Sequence, residues 1–392
     1  MAGPWAGQVL ADLGAEVIKV ERPGAGDDTR TWGPPFLKDA TGQDTKESAY
    51  YLSANRGKKS IAINMSEPQG QTLIAELAAK SDVLIENFKV GGLAKYGLDY
   101  SALSNKSPGL IYASITGFGQ TGPNKERAGY DVMIQAMGGL MSITGEADDQ
   151  PGGGPMKVGI PIVDLVTGLY TVIAVQAALQ QKKHTGKGQH IDMALFDVMV
   201  GLLANQASNF LVGGEVPQRM GSGHPNIVPY QSFATKDGFI LLAVGNDRQF
   251  KKFCGIAGYP EVAEDERFKS NAMRVLNRET LVPLVAGWMF QRTTKEWEDV
   301  LAKEAVPCGP INDVGEVFKE AQITARELKL EIPHPLSKTV PMAAPPLRLD
   351  GRLNHAETAP PMLGQHTRDV LADLLALDDA QIEELYARKI VA

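Results

Sequence analysis

The consecutive segments DVLIENF (82–88), KVGGLAKYGLDYSALSNKSP (89–108) and GLIYASITG (109–117) decide the fold. Two short runs of apolar and β-branched residues read as strands, and the segment between them carries a helical pattern over Gly91–Asn105. Strand, helix and strand in this order make the unit of a parallel sheet. Upstream, the same alternation gives a helix over Trp5–Leu13 with Gly14 at its end, the strands AEVIKVE (15–21) and KSIAINM (59–65), and a helix over Pro68–Lys80. Downstream it gives helices over Tyr130–Thr144 and Asp164–Gln181, then the strand GQHIDMALF (188–196) running into the apolar segment Asp197–Val212. The pattern predicts an α/β architecture, a mainly parallel sheet covered by helices.

The texture changes after GSGHPNIVPY (221–230). YQSFATKDGFILLAVGN (230–246) reads as a hairpin, with Lys236-Asp237-Gly238 between two alternating strands. Amphipathic helical patterns follow near Arg248–Ala257, Asn277–Gln291 and Thr294–Lys303, then VPCGPIND (306–313). The expected division is a large domain over 1–196, a linker over 197–224, a small α+β domain over 225–320 and a return segment over 321–392. That last segment is rich in proline up to Pro361 and ends in two short helices, Thr367–Leu374 and Asp379–Arg388. A tail so poor in core residues is expected to cross over the first domain or a partner chain, with its C-terminal helices packing on the large domain.

Composition narrows the function. The 392 residues carry 39 basic and 46 acidic side chains, a net charge of -7, which argues against general nucleic-acid binding. The 41 glycines and 24 prolines are scattered without a repeat, so collagen-like and low-complexity readings are excluded. Ile160–Ala178 is broken by Asp164, Thr167, Gly168 and Gln176, so a soluble chain without a membrane span is expected. No charged segment followed by an apolar one marks a signal peptide at the start. Cys254 and Cys308 offer neither a disulfide framework nor a zinc site, and a reducing compartment is expected: the cytoplasm, or the mitochondrial matrix for a eukaryotic chain with its N-terminus removed. The six histidines (His184, His190, His224, His334, His355, His366) form no i, i+3 or i, i+4 pair, so no metal site is expected. P-loop, dinucleotide, nucleophile-elbow and zinc-hydrolase motifs are all missing.

One acid stands out. In KVGIPIVDLVTGLYTV (157–172), Asp164 lies in an apolar run at the start of a helical pattern. Aspartate is seldom buried without a partner, so it is either the N-cap of that helix or a working carboxylate. The two roles can coexist, because backbone N–H groups at a helix start also stabilise an oxyanion. A second feature is a set of cations near strand ends: Arg22, Arg30, Arg56, Lys58, Lys59 and Lys95. Each alone reads as a solvated surface charge. Together they suit a phosphorylated ligand in the crevice beyond the carboxyl ends of a parallel sheet.

These runs, with GPWAGQVLADLGAEVIKVERPGAGDDTR (3–30), ANRGKKSIAINM (54–65), SITGFGQTGP (114–123), AGYDVMIQAMGGLMSITG (128–145), TGKGQHIDMALFD (185–197), VPCGPIND and PPMLGQHTRDVL (360–371), resemble the class III CoA-transferases in the family's own order and over essentially the whole chain. RMGSGHPNIVPYQSFATKDGFILLAVGN (219–246) is most similar to the branch that moves CoA between dicarboxylic acids. The resemblance implies a Rossmann-like large domain and a smaller domain joined by long linkers, with two chains interlocked as rings in a homodimer. It implies Asp164 as a nucleophile that passes through a mixed anhydride and an aspartyl-CoA thioester. It also implies acyl-CoA and a carboxylic acid as substrates, with no permanently bound cofactor. Arg22, Ile63, Asn87, Phe88, Lys95, Arg127 and Tyr130 fall at CoA-contacting positions, with Lys95 standing where the family often has arginine. Because the family begins with a strand before the position of Ala2, the first core strand is expected to be missing.

Two other activities fit the same resemblance. An α-methylacyl-CoA racemase needs a second acid–base group facing the aspartate, a histidine in that branch; here the position reads Gly129-Tyr130-Asp131, and an ordinary tyrosine with a pKa of about 10 is a poor proton shuttle at neutral pH. A CoA-binding protein without catalysis would bind CoA and turn nothing over. For a dicarboxylate acceptor, Arg219, His224 and Arg248 are the candidate partners of the distal charge.

Overall fold

The computed structural model describes all 392 residues. It resolves into two compact units: Met1–Gly139 with Val158–Ala207 and Ala321–Ala392, and Leu140–Lys157 with Ser208–Glu320. The second unit therefore takes in 140–157, a stretch that the sequence reading placed with the large domain.

The first unit is built on α1 (Ala2–Asp12), β1 (Val17–Glu21), β2 (Lys58–Ala62), α2 (Pro68–Ala79), β3 (Val83–Glu86), β4 (Ile111–Thr116), α3 (Asp131–Met137), α4 (Ile162–Thr185) and β5 (His190–Ala194). β1 and β2 pair in parallel, and β4 pairs in parallel with both β3 and β5. All six residues of β4 are buried, as befits a parallel strand covered on both faces. Ala6 and Leu10 of α1 meet Ala113 of β4 and Val172 and Val175 of α4 in one apolar cluster. α4 is long and apolar enough by composition to cross a membrane, and here it packs on α1, β4 and β5.

Several boundaries differ from expectation for local reasons. α1 starts at Ala2 rather than Trp5, because Pro4 in a first turn removes an N–H that has no intrahelical partner. The helix expected over Gly91–Asn105 breaks into a 3-10 turn, Ala94–Tyr96, and a helix, Tyr100–Lys106, with Gly97 at φ +64° between them. The helix expected over Tyr130–Thr144 stops at Gly138, and Gly139 takes φ +87°.

The return segment corrects a larger expectation. It is not poor in core residues: Lys329–His334 and Ser337–Ala343 form an antiparallel hairpin whose alternate residues Leu330, Ile332, Val340 and Met342 pack with Tyr51 and Leu52. Further on, Val370, Leu371, Ile382, Leu385 and Val391 join Ile61 and Ile63 and α2's Leu73 and Leu77. The tail closes the first unit's own core.

Most of the cations assigned to a phosphate crevice are structural. Arg30, 5% exposed, donates to both oxygens of Glu21 at 2.8 and 2.9 Å and both of Glu47 at 2.8 and 3.0 Å, and lies 3.8 Å over the Tyr51 ring. Arg56 makes the same two-pronged contact with Asp12 at 2.7 and 2.8 Å. Lys58 is buried without a carboxylate and donates to Pro4 O, Ala54 O and Asn55 Oδ1 at 2.7–2.8 Å; burial pushes its pKa well down. Lys59 pairs with Glu16, next to the amino ends of β1 and β2. Arg22, directly past β1, and Lys95, nine residues past β3, remain exposed.

The second unit is α+β. Tyr230–Ala234, Phe239–Ala243 and Cys308–Pro310 form an antiparallel sheet with Phe239–Ala243 in the middle. Helices Asp247–Ala257, Arg278–Met289 and Thr294–Lys303 bury Phe250, Phe253, Trp288 and Trp297 against Ile240 and Leu242.

Candidate active site

The first turn of α4 exposes backbone N–H groups that its N-cap residue, Pro161, cannot satisfy. Asp131, the first residue of α3, does this from outside: its Oδ1 accepts from Val163 N at 2.8 Å and Asp164 N at 3.1 Å. Asp164 is therefore not the cap that local sequence allowed. It sits third in the helix with its carboxylate free of the helix N-terminus.

Its surroundings are dry and mostly unfavourable to charge. The side chain is 16% exposed, and Oδ2 lies 3.4 Å from the α-amino nitrogen of Met1. Burial raises the Asp164 pKa above the ordinary carboxylate range; the Met1 ammonium pulls it down and the Asp131 carboxylate pushes it up again, leaving a net rise. A carboxylate with a raised pKa and little hydration is a better base and nucleophile than one in water.

Two close approaches set this geometry. A Cβ on Gly117, just past β4, would lie 2.6 Å from the Gly129 Cα, so two facing glycines let the chain bring Tyr130 and Asp131 to the end of the central strand. A Cβ on Gly168 would lie 2.9 Å from Ala2 O and 3.2 Å from Ala6 N, so α1 and α4 touch backbone to backbone one turn beyond Asp164. Neither neighbour can swing away as a side chain could. Gly168→Ala is expected to destabilise the protein by about 1–3 kcal/mol, the usual cost of forced overpacking, as read from urea denaturation. A change below about 0.5 kcal/mol would show that α1 yields freely.

The residues named from resemblance divide into groups. Arg22 follows β1 directly and is exposed, and Asn87 and Phe88 follow β3 directly and are exposed, with Phe88 N donating to Glu86 Oε2 at 2.7 Å. Lys95 lies 4.6 Å over the Tyr96 ring, and Arg127 lies 5.4 Å from the Phe118 ring and donates to Asn124 Oδ1 at 3.4 Å. Tyr130, 71% exposed, directly precedes Asp131. Ile63 does not belong with them: at 1% exposure, bridged to Val391, its side chain is part of the core. Arg219, His224 and Arg248 lie in the second unit. Arg219 pairs with Asp148 and donates to Ser142 O, His224 Nδ1 accepts from Asn226 N at 3.0 Å, and Arg248 is exposed.

Sequence reasoning missed Tyr50. Burial raises its pKa, and the charges of Asp164 and Asp131 push it further, which places the phenol in the field of both carboxylates. Trp32 meets it edge-on at 5.0 Å and is 47% exposed. The available signal was the Tyr50-Tyr51 doublet at the start of a Ser48-capped turn: Tyr51 is fully buried against Arg30, while Tyr50 stays partly exposed.

Comparison with known proteins agrees with this architecture. The family model described as CoA-transferase family III matches residues 1–367. The succinate–glutarate CoA-transferase of Agrobacterium fabrum is 47% identical over 96% of this chain and 93% of its own. The human succinyl-CoA:glutarate CoA-transferase is 44% identical over 100% of this chain and 87% of its own. A crystal structure of a CAIB/BAIF family protein from Brucella suis, 50% identical, superposes with a TM-score of 0.82 over 95% of this chain and 96% of that one. With a match that extends from the first residue to residue 367, and relatives this similar over most of their lengths, the chain belongs to CoA-transferase family III.

Proposed function

We propose that this CoA-transferase moves CoA between succinyl-CoA and a second dicarboxylic acid, glutarate foremost, with Asp164 as the covalent relay. The observation that carries the mechanism is a weakly solvated Asp164 carboxylate whose helix N–H groups are already engaged by another side chain. The names of the two relatives at 47% and 44% identity support the acids.

In the reaction, an Asp164 oxygen attacks the thioester carbon and the C–S bond breaks, giving a mixed anhydride and CoA thiolate. The thiolate attacks the Asp164 acyl carbon and expels the donor acid, which leaves with the aspartate oxygen. The acceptor carboxylate then attacks the aspartyl thioester carbon and expels CoA thiolate, giving a second mixed anhydride, and the thiolate returns to the acceptor's carbon, releasing the new thioester and the Asp164 carboxylate. One thioester replaces another, so no net proton or nucleotide is consumed, and the barrier is divided among covalent steps. Succinyl-CoA offered with a pool of mono- and dicarboxylic acids is expected to yield glutaryl-CoA by mass spectrometry; turnover of monocarboxylates alone would overturn the substrate assignment.

Arg22, Asn87, Phe88, Lys95, Arg127 and Tyr130 line the CoA path in this reading, supported by their exposure and by the position of Arg22, Asn87 and Phe88 just beyond carboxyl ends of parallel strands. Losing one charge-assisted contact to a phosphate costs about tenfold in affinity. Arg22→Ala is accordingly expected to raise KM for succinyl-CoA about tenfold while kcat stays within about twofold. An unchanged KM would remove Arg22 from the CoA path.

The same reading makes the active species an interlocked homodimer of chains that each carry a large and a small domain. Large apolar side chains left exposed on α4 (Leu169, Tyr170 and Ile173, 43–61%) support a partner surface. Light scattering after gel filtration is expected to give twice the chain mass.

A further inference from the structure

Asp131 touches α4 at the residue proposed as the nucleophile, and its second oxygen is also occupied. Gln135 Nε2, one turn along α3, donates to Asp131 Oδ2 at 2.5 Å, and Gln135 Oε1 accepts from Val158 N at 2.9 Å. Gln135 is 1% exposed and Val163 is fully buried, while Asp131 is half-buried, so water has limited access to these bonds. The segment 158–164 is thus pinned to α3 at both ends, at Val158 through Gln135 and at Val163–Asp164 through Asp131.

The chain of bonds has a direction. Val158 N donates to the amide oxygen of Gln135, whose amide nitrogen must then donate onward, so position 131 must present an acceptor on that side and another toward α4. A carboxylate offers acceptors on both sides, whereas an asparagine offers only one. Electrostatics adds a second effect: the Asp131 charge offsets the positive end of α4, which would otherwise favour an ionised and less basic Asp164.

We infer that Asp131, held by Gln135, is a positioning residue for CoA transfer: it fixes the first turn of α4 and keeps the Asp164 carboxylate free and basic enough to attack the thioester. The inference rests on the proposed nucleophilic role of Asp164. The groups with charge at Asp164 are the Met1 α-amino group and Asp131, with the Tyr50 phenol in the same field, so Asp131 is the negative neighbour to remove.

The test compares Asp131→Asn, Asp131→Ala, the double variant Asp131→Asn/Gln135→Glu, and Asp164→Ala as reference, with succinyl-CoA and glutarate. In Asp131→Asn the new amide faces the Gln135 amide donor to donor and the like charge is gone. Its kcat is expected to fall by about tenfold or more at neutral pH with KM for succinyl-CoA within about twofold, and the acid limb of kcat/KM is expected to move to lower pH. A role in folding alone would leave that limb in place. In the double variant the amide introduced at position 131 donates to the carboxylate introduced at position 135, which still accepts from Val158 N. The clamp is rebuilt with its charge one turn away, and kcat is expected to recover to well above that of Asp131→Ala. The proposal is overturned by an Asp131→Asn enzyme with wild-type kcat and an unmoved acid limb, or by a folded double variant no faster than Asp131→Ala. Wild-type turnover by Asp164→Ala would instead defeat the nucleophile, and this inference with it.

Discussion

Asp164→Ala is expected to abolish CoA transfer, lowering kcat by at least on the order of 10³-fold, because every covalent step passes through this carboxylate. The same site makes a less usual forecast for stability. Burial and the neighbouring Asp131 carboxylate hold the Asp164 pKa above its unfolded value despite the opposing Met1 ammonium. For an acid whose folded pKa is raised, the native state binds the proton more tightly than the unfolded chain does, so ionisation costs stability above the folded pKa. That cost is relieved as pH falls through the folded value toward the ordinary one. Asp164→Asn, which keeps the shape and removes the charge, is therefore expected to melt at a higher temperature than wild type at pH 7, with the gap closing as pH falls through the raised folded pKa toward the ordinary carboxylate value. Scanning calorimetry showing Asp164→Asn less stable than wild type at pH 7 would mean that the carboxylate is held by favourable contacts rather than kept in an unfavourable site.

The second large effect lies away from the reaction. Arg30→Met should destabilise the fold by about 3–5 kcal/mol, since it strands Glu21 and Glu47 as buried acids without their cation. Both carboxylates face the guanidinium inside the first unit, and Tyr51 Oη and Pro361 O take its remaining bonds at 2.6 and 3.1 Å. Burial pushes the Glu21 pKa up, but Arg30 and Lys19 with the Ser60 hydroxyl outweigh it and leave it below the ordinary range; burial dominates at Glu47, whose pKa is raised. Glu21 therefore contributes stability above its ordinary pKa that is lost as pH falls through its folded value. Urea unfolding at neutral pH checks the magnitude, and a loss below about 1 kcal/mol would mean that water reaches the two acids once Arg30 is gone.

Arg30 also shows where the sequence is legible and where it is not. The strands on either side of Gly91–Asn105 follow from local periodicity, and so does the isolation of Asp164 within an apolar run. The state of a cation does not follow from local spacing, because its partners lie elsewhere: Arg30 is paired across 17 residues with Glu47, and Arg56 across 44 with Asp12. The real cap of α4 was hidden for the same reason, since Asp131 lies 33 residues before the amide it accepts from. The hairpin Lys329–Ala343 was obscured by Pro333, Pro335 and Pro341, which read as breakers. In a two-stranded ribbon each strand is an edge, and prolines are tolerated there.

The most direct test of the covalent relay follows an oxygen atom. In the proposed sequence the donor acid departs with an Asp164 oxygen, and the acceptor acid leaves one of its own behind. Enzyme turned over with succinyl-CoA and glutarate labelled with oxygen-18 in its carboxylates is digested, and the peptide containing Asp164 is weighed. A mass increase of one heavy oxygen on that residue after a single turnover, rising toward two with repeated turnover and absent without succinyl-CoA, is the expected result. Glutaryl-CoA formed while the Asp164 peptide stays unlabelled would show that the acids exchange CoA without passing through this side chain.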